Sequence, residues 1–143
     1  MPVLQNILLR AEQWYAFVPT WLRWLLVASW YGLITYISHI PSSASAATKG
    51  MVGGDDTLNA VFRFCAHLGV FGILGTLLYA ALNGNFVFSR RIFLQMLVGV
   101  CCAGILDEVH QSFVPGRFAR VRDVATDCAG AVLAVGALAS IRK

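Results

Sequence analysis

The chain has 143 residues and a mass of 15.6 kDa, which is the size of one domain, so we expect a single domain over residues 1–143. Charged residues make up 13% and hydrophobic residues 58%, against about 25% charged residues in a soluble globular protein. This composition argues against a water-soluble fold. The net charge of +4 comes from basic residues that stand singly or in pairs between apolar runs, so we expect no nucleic-acid partner.

The first predicted element is an amphipathic helix over residues 3–18. Its apolar residues recur with helical spacing on one face, while polar residues such as Gln5, Arg10 and Glu12 lie on the opposite face. A helix of this kind lies in the membrane interface. No small-residue cleavage site follows a short apolar core, so we expect this segment to be retained rather than removed as a signal peptide.

Four stretches without Asp, Glu, Lys or Arg predict the membrane-spanning helices. They are residues 24–48, 64–89, 92–106 and 128–141. A bilayer core takes about 20 helical residues, so the last two stretches are long enough only with the polar residues beside them. The predicted spans are residues 22–40, 60–82, 92–111 and 123–142. Small residues recur four apart, as in Gly72 with Thr76, Gly99 with Ala103 and Gly130 with Ala134, which favours close helix packing. The predicted fold is all-α, a bundle of four transmembrane helices.

Four spans place both termini on one side of the membrane. That side would carry six of the 11 basic residues: Arg10, Arg23, Arg90, Arg91, Arg142 and Lys143. Because basic residues are retained on the cytoplasmic side, we expect both termini in the cytoplasm.

Polar residues of three spans converge on the side opposite the termini. They are Arg63 and His67 in the second span, Asp107, Glu108, His110 and Gln111 in the third, and Asp123 and Asp127 in the fourth. Spacings of three and four residues place these side chains on shared helix faces. A charge at the membrane centre costs about 2.5 to 3.5 kcal/mol, less near the interface, so such residues normally face a partner or a wet cavity. We therefore expect a polar site near the outer surface.

The loop after the third span brings a further arginine to this site. Pro115 lacks a backbone donor and Gly116 permits positive φ, so residues 113–116 end the helix and place Arg117 over the polar cluster. An arginine fork suits a phosphate or carboxylate, and Arg63 supplies a second fork. Apolar walls around these groups suit a lipid tail. The sequence predicts a pocket for an anionic membrane lipid or lipid-linked cell-envelope molecule.

These residues also carry a resemblance to a known family. The stretch Asp-Glu-Val-His-Gln-Ser-Phe-Val-Pro-Gly-Arg at residues 107–117, followed by Asp123 and Gly130, closely resembles the signature of VanZ-like membrane proteins. His67 and Phe71 match the family's upstream positions, while Arg63 substitutes for a basic residue expected at Phe64, and Asp127 stands where the family commonly has asparagine. The resemblance covers about residues 30–140. It implies a small integral protein of the bacterial inner membrane, and the family's namesake is associated with lowered susceptibility to the antibiotic teicoplanin.

Other functions use the same residues. In an enzyme, Glu108 or His110 would act as acid or base while the arginines stabilise developing charge at a phosphoryl centre. In a structural network, the charges would pair with one another and bind nothing. Aspartate and histidine from facing helices could also hold a metal, although no ExxH motif is present. An ion path is disfavoured because the other half of the spans contains almost no polar residues. We expect no metal and no cofactor, because no haem, flavin or nucleotide motif is present.

Two further predictions concern the helix ends. His39 either caps the first span or joins the pocket. Asp56 or Thr57 is predicted to cap the start of the second span.

Overall fold

The computed structural model describes residues 10, 15, 17–40, 50, 53–84, 88–117 and 119–141. Within these residues the chain forms four helices and no strand, which confirms the all-α class. The helices are α1 (Thr20–Ser38), α2 (Asp56–Asn83), α3 (Arg90–Ser112) and α4 (Val121–Ile141). Each begins and ends within four residues of a predicted span. The amphipathic helix predicted over residues 3–18 falls mostly outside the described residues.

Three of the helices are suited to a membrane. By length and composition, α2, α3 and α4 can each cross a bilayer, which indicates a multi-pass membrane protein. The 19-residue α1 does not reach the same hydropathy, because it contains Arg23 together with several Trp, Tyr, Thr and Ser residues. A fourth span formed by α1 therefore stays a prediction.

The helices pack around α2, which contacts each of the other three. Its closest neighbour is α4, because glycines let the two backbones meet. A Cβ atom added at Gly130 would lie within 2.9 Å of the Leu68 backbone, and one added at Gly75 would lie 2.5 Å from the Cβ of Ala131. Buried apolar side chains, among them Phe71 and Met96, fill the space between helices. Small residues thus bring helices close enough to gain dispersion contacts in lipid.

Loop chemistry determines where the helices begin and end. The carboxylate of Asp55 accepts from the backbone N–H groups of Thr57 and Leu58 at 2.7 and 3.1 Å, so the N-cap of α2 is Asp55 and the predicted cap at Asp56 or Thr57 is wrong. Helix α2 ends at Asn83, and the residue that follows, Gly84, caps it: the φ of Gly84 is 68°, which is left-handed, and its N–H donates to the carbonyl of Ala80 at 2.9 Å.

The loop after α3 turns as predicted. Gly116 has a φ of 79°, and the N–H of Arg117 donates to the carbonyl of Val114 at 3.1 Å. This tight turn reverses the chain within a few residues. It leads from the end of α3 back to the start of α4 on the same side of the bundle.

Candidate functional site

The polar residues lie together at one end of the bundle, formed by the starts of α2 and α4 and the ends of α1 and α3. All nine predicted site residues lie in the described part of the chain. Four of the predicted site residues, three in α3 and one in α4, are almost fully buried: Asp107 is 2% exposed, Glu108 5%, Gln111 3% and Asp127 0%. Carboxylates are rarely buried without partners. The hydrogen bonds of these buried side chains therefore show how the site is held together.

The first contact joins α2 to α4. Nδ1 of His67 donates to Oδ1 of Asp127 at 2.8 Å, and the His67 ring stacks parallel to Phe71 with centroids 6.3 Å apart. The second carboxylate oxygen of Asp127 is buried without a hydrogen bond. It faces Gly104 of α3, where an added Cβ would lie 3.1 Å away. Glycine at this position therefore leaves room for the Asp127 carboxylate.

The second contact joins α1 to α3. Oδ2 of Asp107 accepts hydrogen bonds from Ser38 at 3.0 Å and from Gln111 at 2.7 Å. The Gln111 amide also donates to the Ser38 hydroxyl at 3.3 Å. The prediction that Asp107 and Gln111 lie in the site is consistent with this geometry. Ser38 was missed as a partner, and its only signal in the sequence is its position at the end of the first span.

The two residues predicted as catalytic have different surroundings. Oε2 of Glu108 accepts from the backbone N–H of Arg120, the residue before α4, while Oε1 is buried without a partner. Glu108 thus holds the start of α4 against the end of α3. Nε2 of His110 lies 3.2 Å from Nδ1 of His39, so His39 joins the cluster as well as ending α1. A catalytic role for Glu108 and His110 stays a prediction.

Two arginines of the site lack an acidic partner. Arg63 and Arg117 are both half-buried, and neither guanidinium group forms a hydrogen bond or ion pair with another residue in the part of the chain that the structure describes. Burial lowers the pKa of Arg117 from its ordinary value, and the positive charge of Arg63 lowers it further, while Asp107 and Glu108 act in the opposite direction. The Arg117 guanidinium therefore lies within electrostatic range of Arg63 and of the buried Asp107 and Glu108 carboxylates.

The last predicted site residue, Asp123, lies in the first turn of α4. Its carboxylate is 3.5 Å from Nε of Arg122, whose side chain is 75% exposed. Such a solvated pair contributes little to stability. The charge of Asp123 acts on His67 and Glu108, which places it at the edge of the cluster. Over residues 53–84, 88–117, 119–141 and the described residues before them, no group of three or more His, Cys, Asp or Glu could hold a metal ion.

Comparison with known proteins agrees with the motif. A family model described as VanZ/LLP1 matches residues 20–142, which confirms the expected VanZ-like family. The match includes all four helices and every residue of the polar cluster. No curated protein and no solved structure shows significant similarity to the chain.

Proposed function

This chain belongs to the VanZ/LLP1 family, and from that premise we propose that it binds an anionic membrane lipid or lipid-linked cell-envelope molecule at its polar end. One observation carries the proposal. Two half-buried guanidinium groups, those of Arg63 and Arg117, lie within electrostatic range of each other and have no acidic partner among the described residues. The phosphate or carboxylate of a ligand would provide the missing negative charge.

The pattern of carboxylate contacts supports a ligand over an internal charge network. In a purely structural network, the arginines would neutralise the carboxylates across helices. Here Asp107 instead accepts from Ser38 and Gln111, and Asp127 accepts from His67. No acidic side chain among the described residues pairs with either guanidinium fork, and each fork can donate two parallel hydrogen bonds to one oxyanion.

The membrane setting strengthens this argument. Unpaired charges near a bilayer core are costly, and they normally face a partner or water. Two like charges close together add repulsion, which a bridging anion would convert into attraction. A lipid headgroup reaches this depth without leaving the membrane, so an anionic lipid is the ligand class that fits best.

The same proposal includes an orientation. Arg23 and the pair Arg90 and Arg91 lie at the end of the bundle away from the polar cluster. If α1 also spans, both termini face the cytoplasm of a bacterial inner membrane, and the polar cluster faces outside. The lowered teicoplanin susceptibility associated with the family's namesake is then expected to act through an envelope molecule bound on that outer side.

A short-chain anionic lipid tests the binding proposal. The full chain in dodecylmaltoside is titrated with dihexanoyl-phosphatidylglycerol and with dihexanoyl-phosphatidylcholine, and the bound fraction is read by native mass spectrometry. We expect the anionic probe to bind preferentially. Arg117→Ala and Arg63→Ala should each weaken its binding about tenfold, as expected for the loss of charge-assisted hydrogen bonds.

Arg91→Ala provides the matched control, because it removes an arginine at the opposite end of α3. Its binding should equal that of the unmodified chain. Equal affinity for both probes, or unchanged binding after Arg117→Ala in a folded variant, would contradict the proposal.

A further inference from the structure

An apolar groove runs along the outside of the seam between α2 and α4. Its volume is about 520 Å³, within the range of small-molecule sites. Gly72 and Gly130 form its floor, and Gly69, Ile73 and Leu133 are exposed along it. The groove therefore opens towards the surrounding lipid and not into the bundle.

Glycine creates this groove. A Cβ added at Gly72 would lie 3.2 Å from the carbonyl oxygen of Gly130, so the two backbones meet at the floor. A Cβ added at Gly69 would meet nothing within 4 Å. The small residues that bring α2 and α4 together thus leave a trough between the larger side chains of Ile73 and Leu133.

A basic side chain lies on the same helix face as the groove, towards the membrane surface. Arg122, Thr126, Gly130 and Leu133 follow one another at four, four and three residues along α4, which places them on one face. Arg122 is the second residue of α4 and is 75% exposed. It precedes Gly130 by about 12 Å along the helix axis. This arrangement matches a phospholipid, whose charged group lies at the interface with its chain below.

We propose that this face is a second lipid site, which takes an anionic phospholipid from the surrounding leaflet. Its hydrocarbon chain lies in the groove over Gly69 and Gly72, and its phosphate lies at Arg122. The arginine's only described acidic neighbour is Asp123, at 3.5 Å in a solvated pair, which a phosphate can displace by offering two acceptor oxygens. The site is separate from the pocket at Arg63 and Arg117.

A lipid suits this surface better than a second copy of the chain. A symmetric dimer across the groove would bring the Arg122 side chains of two copies towards each other, and like charges would repel. A phospholipid instead supplies the opposite charge where Arg122 lies and an apolar chain where the groove lies.

Photolabelling locates the hydrocarbon chain directly. The full chain is placed in nanodiscs that contain dioleoyl-phosphatidylglycerol with a diazirine in one acyl chain, and the adducts are mapped by peptide mass spectrometry. Adducts should concentrate on residues 68–77 and 130–134, above the level at Leu94 and Val98 on the exposed face of α3. Arg122→Ala should reduce this labelling to the level found with phosphatidylcholine carrying the same diazirine.

A matched pair of glycine substitutions tests the groove itself. Gly69→Leu fills it and should lower labelling about fivefold, as expected for the loss of about ten dispersion contacts. Gly136→Leu should leave labelling unchanged, because a Cβ there also meets nothing within 4 Å but the residue lies outside the groove lining. Circular dichroism checks that both variants remain helical.

The outcomes separate this site from the polar pocket. Gly69→Leu should leave binding of the short-chain probe unchanged, and Arg117→Ala should leave groove labelling unchanged. Uniform labelling over all apolar faces, or labelling that Gly69→Leu does not alter, would overturn the second site while leaving the pocket in place. A dimer in native mass spectra that Gly69→Leu abolishes would also overturn it, because the groove would then hold a second copy.

Discussion

The contact between His67 and Asp127 provides the strongest test of how the polar end is built. His67→Ala leaves the Asp127 carboxylate, 0% exposed, without the hydrogen bond at 2.8 Å. Hydrogen bonds to charged groups contribute about 1.5–3 kcal/mol, and a buried charge that loses its partner costs more than an exposed one. We expect His67→Ala to lower the free energy of unfolding by about 2–3 kcal/mol.

Substitution of the partner, Asp127, should lower the free energy of unfolding by less. After Asp127→Ala no buried charge remains, and the His67 side chain, 19% exposed, can reach water. We expect a loss of about 1–2 kcal/mol. In the double variant, the second substitution removes an interaction that is already lost. Its loss of unfolding free energy should therefore be smaller than the sum of the two single losses by at least about 1 kcal/mol.

Equilibrium unfolding in mixed micelles of dodecylmaltoside and sodium dodecyl sulfate measures these three variants against the unmodified chain. His39→Ala is the control, because it also removes a histidine, one whose contact with His110 lies at the exposed edge of the cluster. It should lower the free energy of unfolding by less than about 1 kcal/mol. If the effects of His67→Ala and Asp127→Ala are additive within about 0.5 kcal/mol, the pair does not hold α2 to α4 and the reasoning fails.

Two further substitutions test the packing and the second polar contact. Gly130→Ala should destabilise the bundle by about 1–3 kcal/mol, because its Cβ would lie within 2.9 Å of the Leu68 backbone. The control, Gly136→Ala, should be neutral or stabilising in the same unfolding assay. Equal effects of the two substitutions would contradict the close approach of α2 and α4. Ser38→Ala removes a hydrogen bond of 3.0 Å to the buried Asp107 carboxylate and should cost about 1.5–3 kcal/mol, while unchanged stability would show that α1 is not held to α3 there.

Much of this arrangement could be predicted from the sequence, because helix direction alone decides which ends meet. Alternating spans place the start of the second, the end of the third and the start of the fourth on one side, and helical spacing places Arg63 with His67 and Asp123 with Asp127 on shared faces. The Pro-Gly turn predicted the return of the chain after α3, and Gly116 adopts the expected positive φ.

The hydrogen-bond partner of each buried carboxylate could not be predicted in the same way. Whether Asp127 meets His67 or an arginine depends on how each helix is rotated about its axis, and that rotation depends on packing between helices. The close approach at Gly130 is one such contact. Ser38 shows the same limit, because its hydroxyl reaches Asp107 only through the way α1 packs against α3.

The error at the start of α2 has a local cause. Asp55 and Asp56 are adjacent, and either side chain can cap a helix. The preceding glycines, Gly53 and Gly54, both have positive φ, at 69° and 82°. They direct the chain so that Asp55 is extended and its carboxylate reaches the N–H of Thr57. A choice between neighbouring caps therefore depends on the backbone that enters the helix.

The central claim is that Arg63 and Arg117 together hold one anionic group. An electron cryomicroscopy map of the full chain in nanodiscs of phosphatidylglycerol, with a rigid binder added for size, tests it most directly. We predict headgroup density between the two guanidinium groups, within hydrogen-bond distance of both, and its loss in Arg117→Ala. A map in which the two arginines point to separate sides, or in which each pairs with a carboxylate of the chain, would contradict the account.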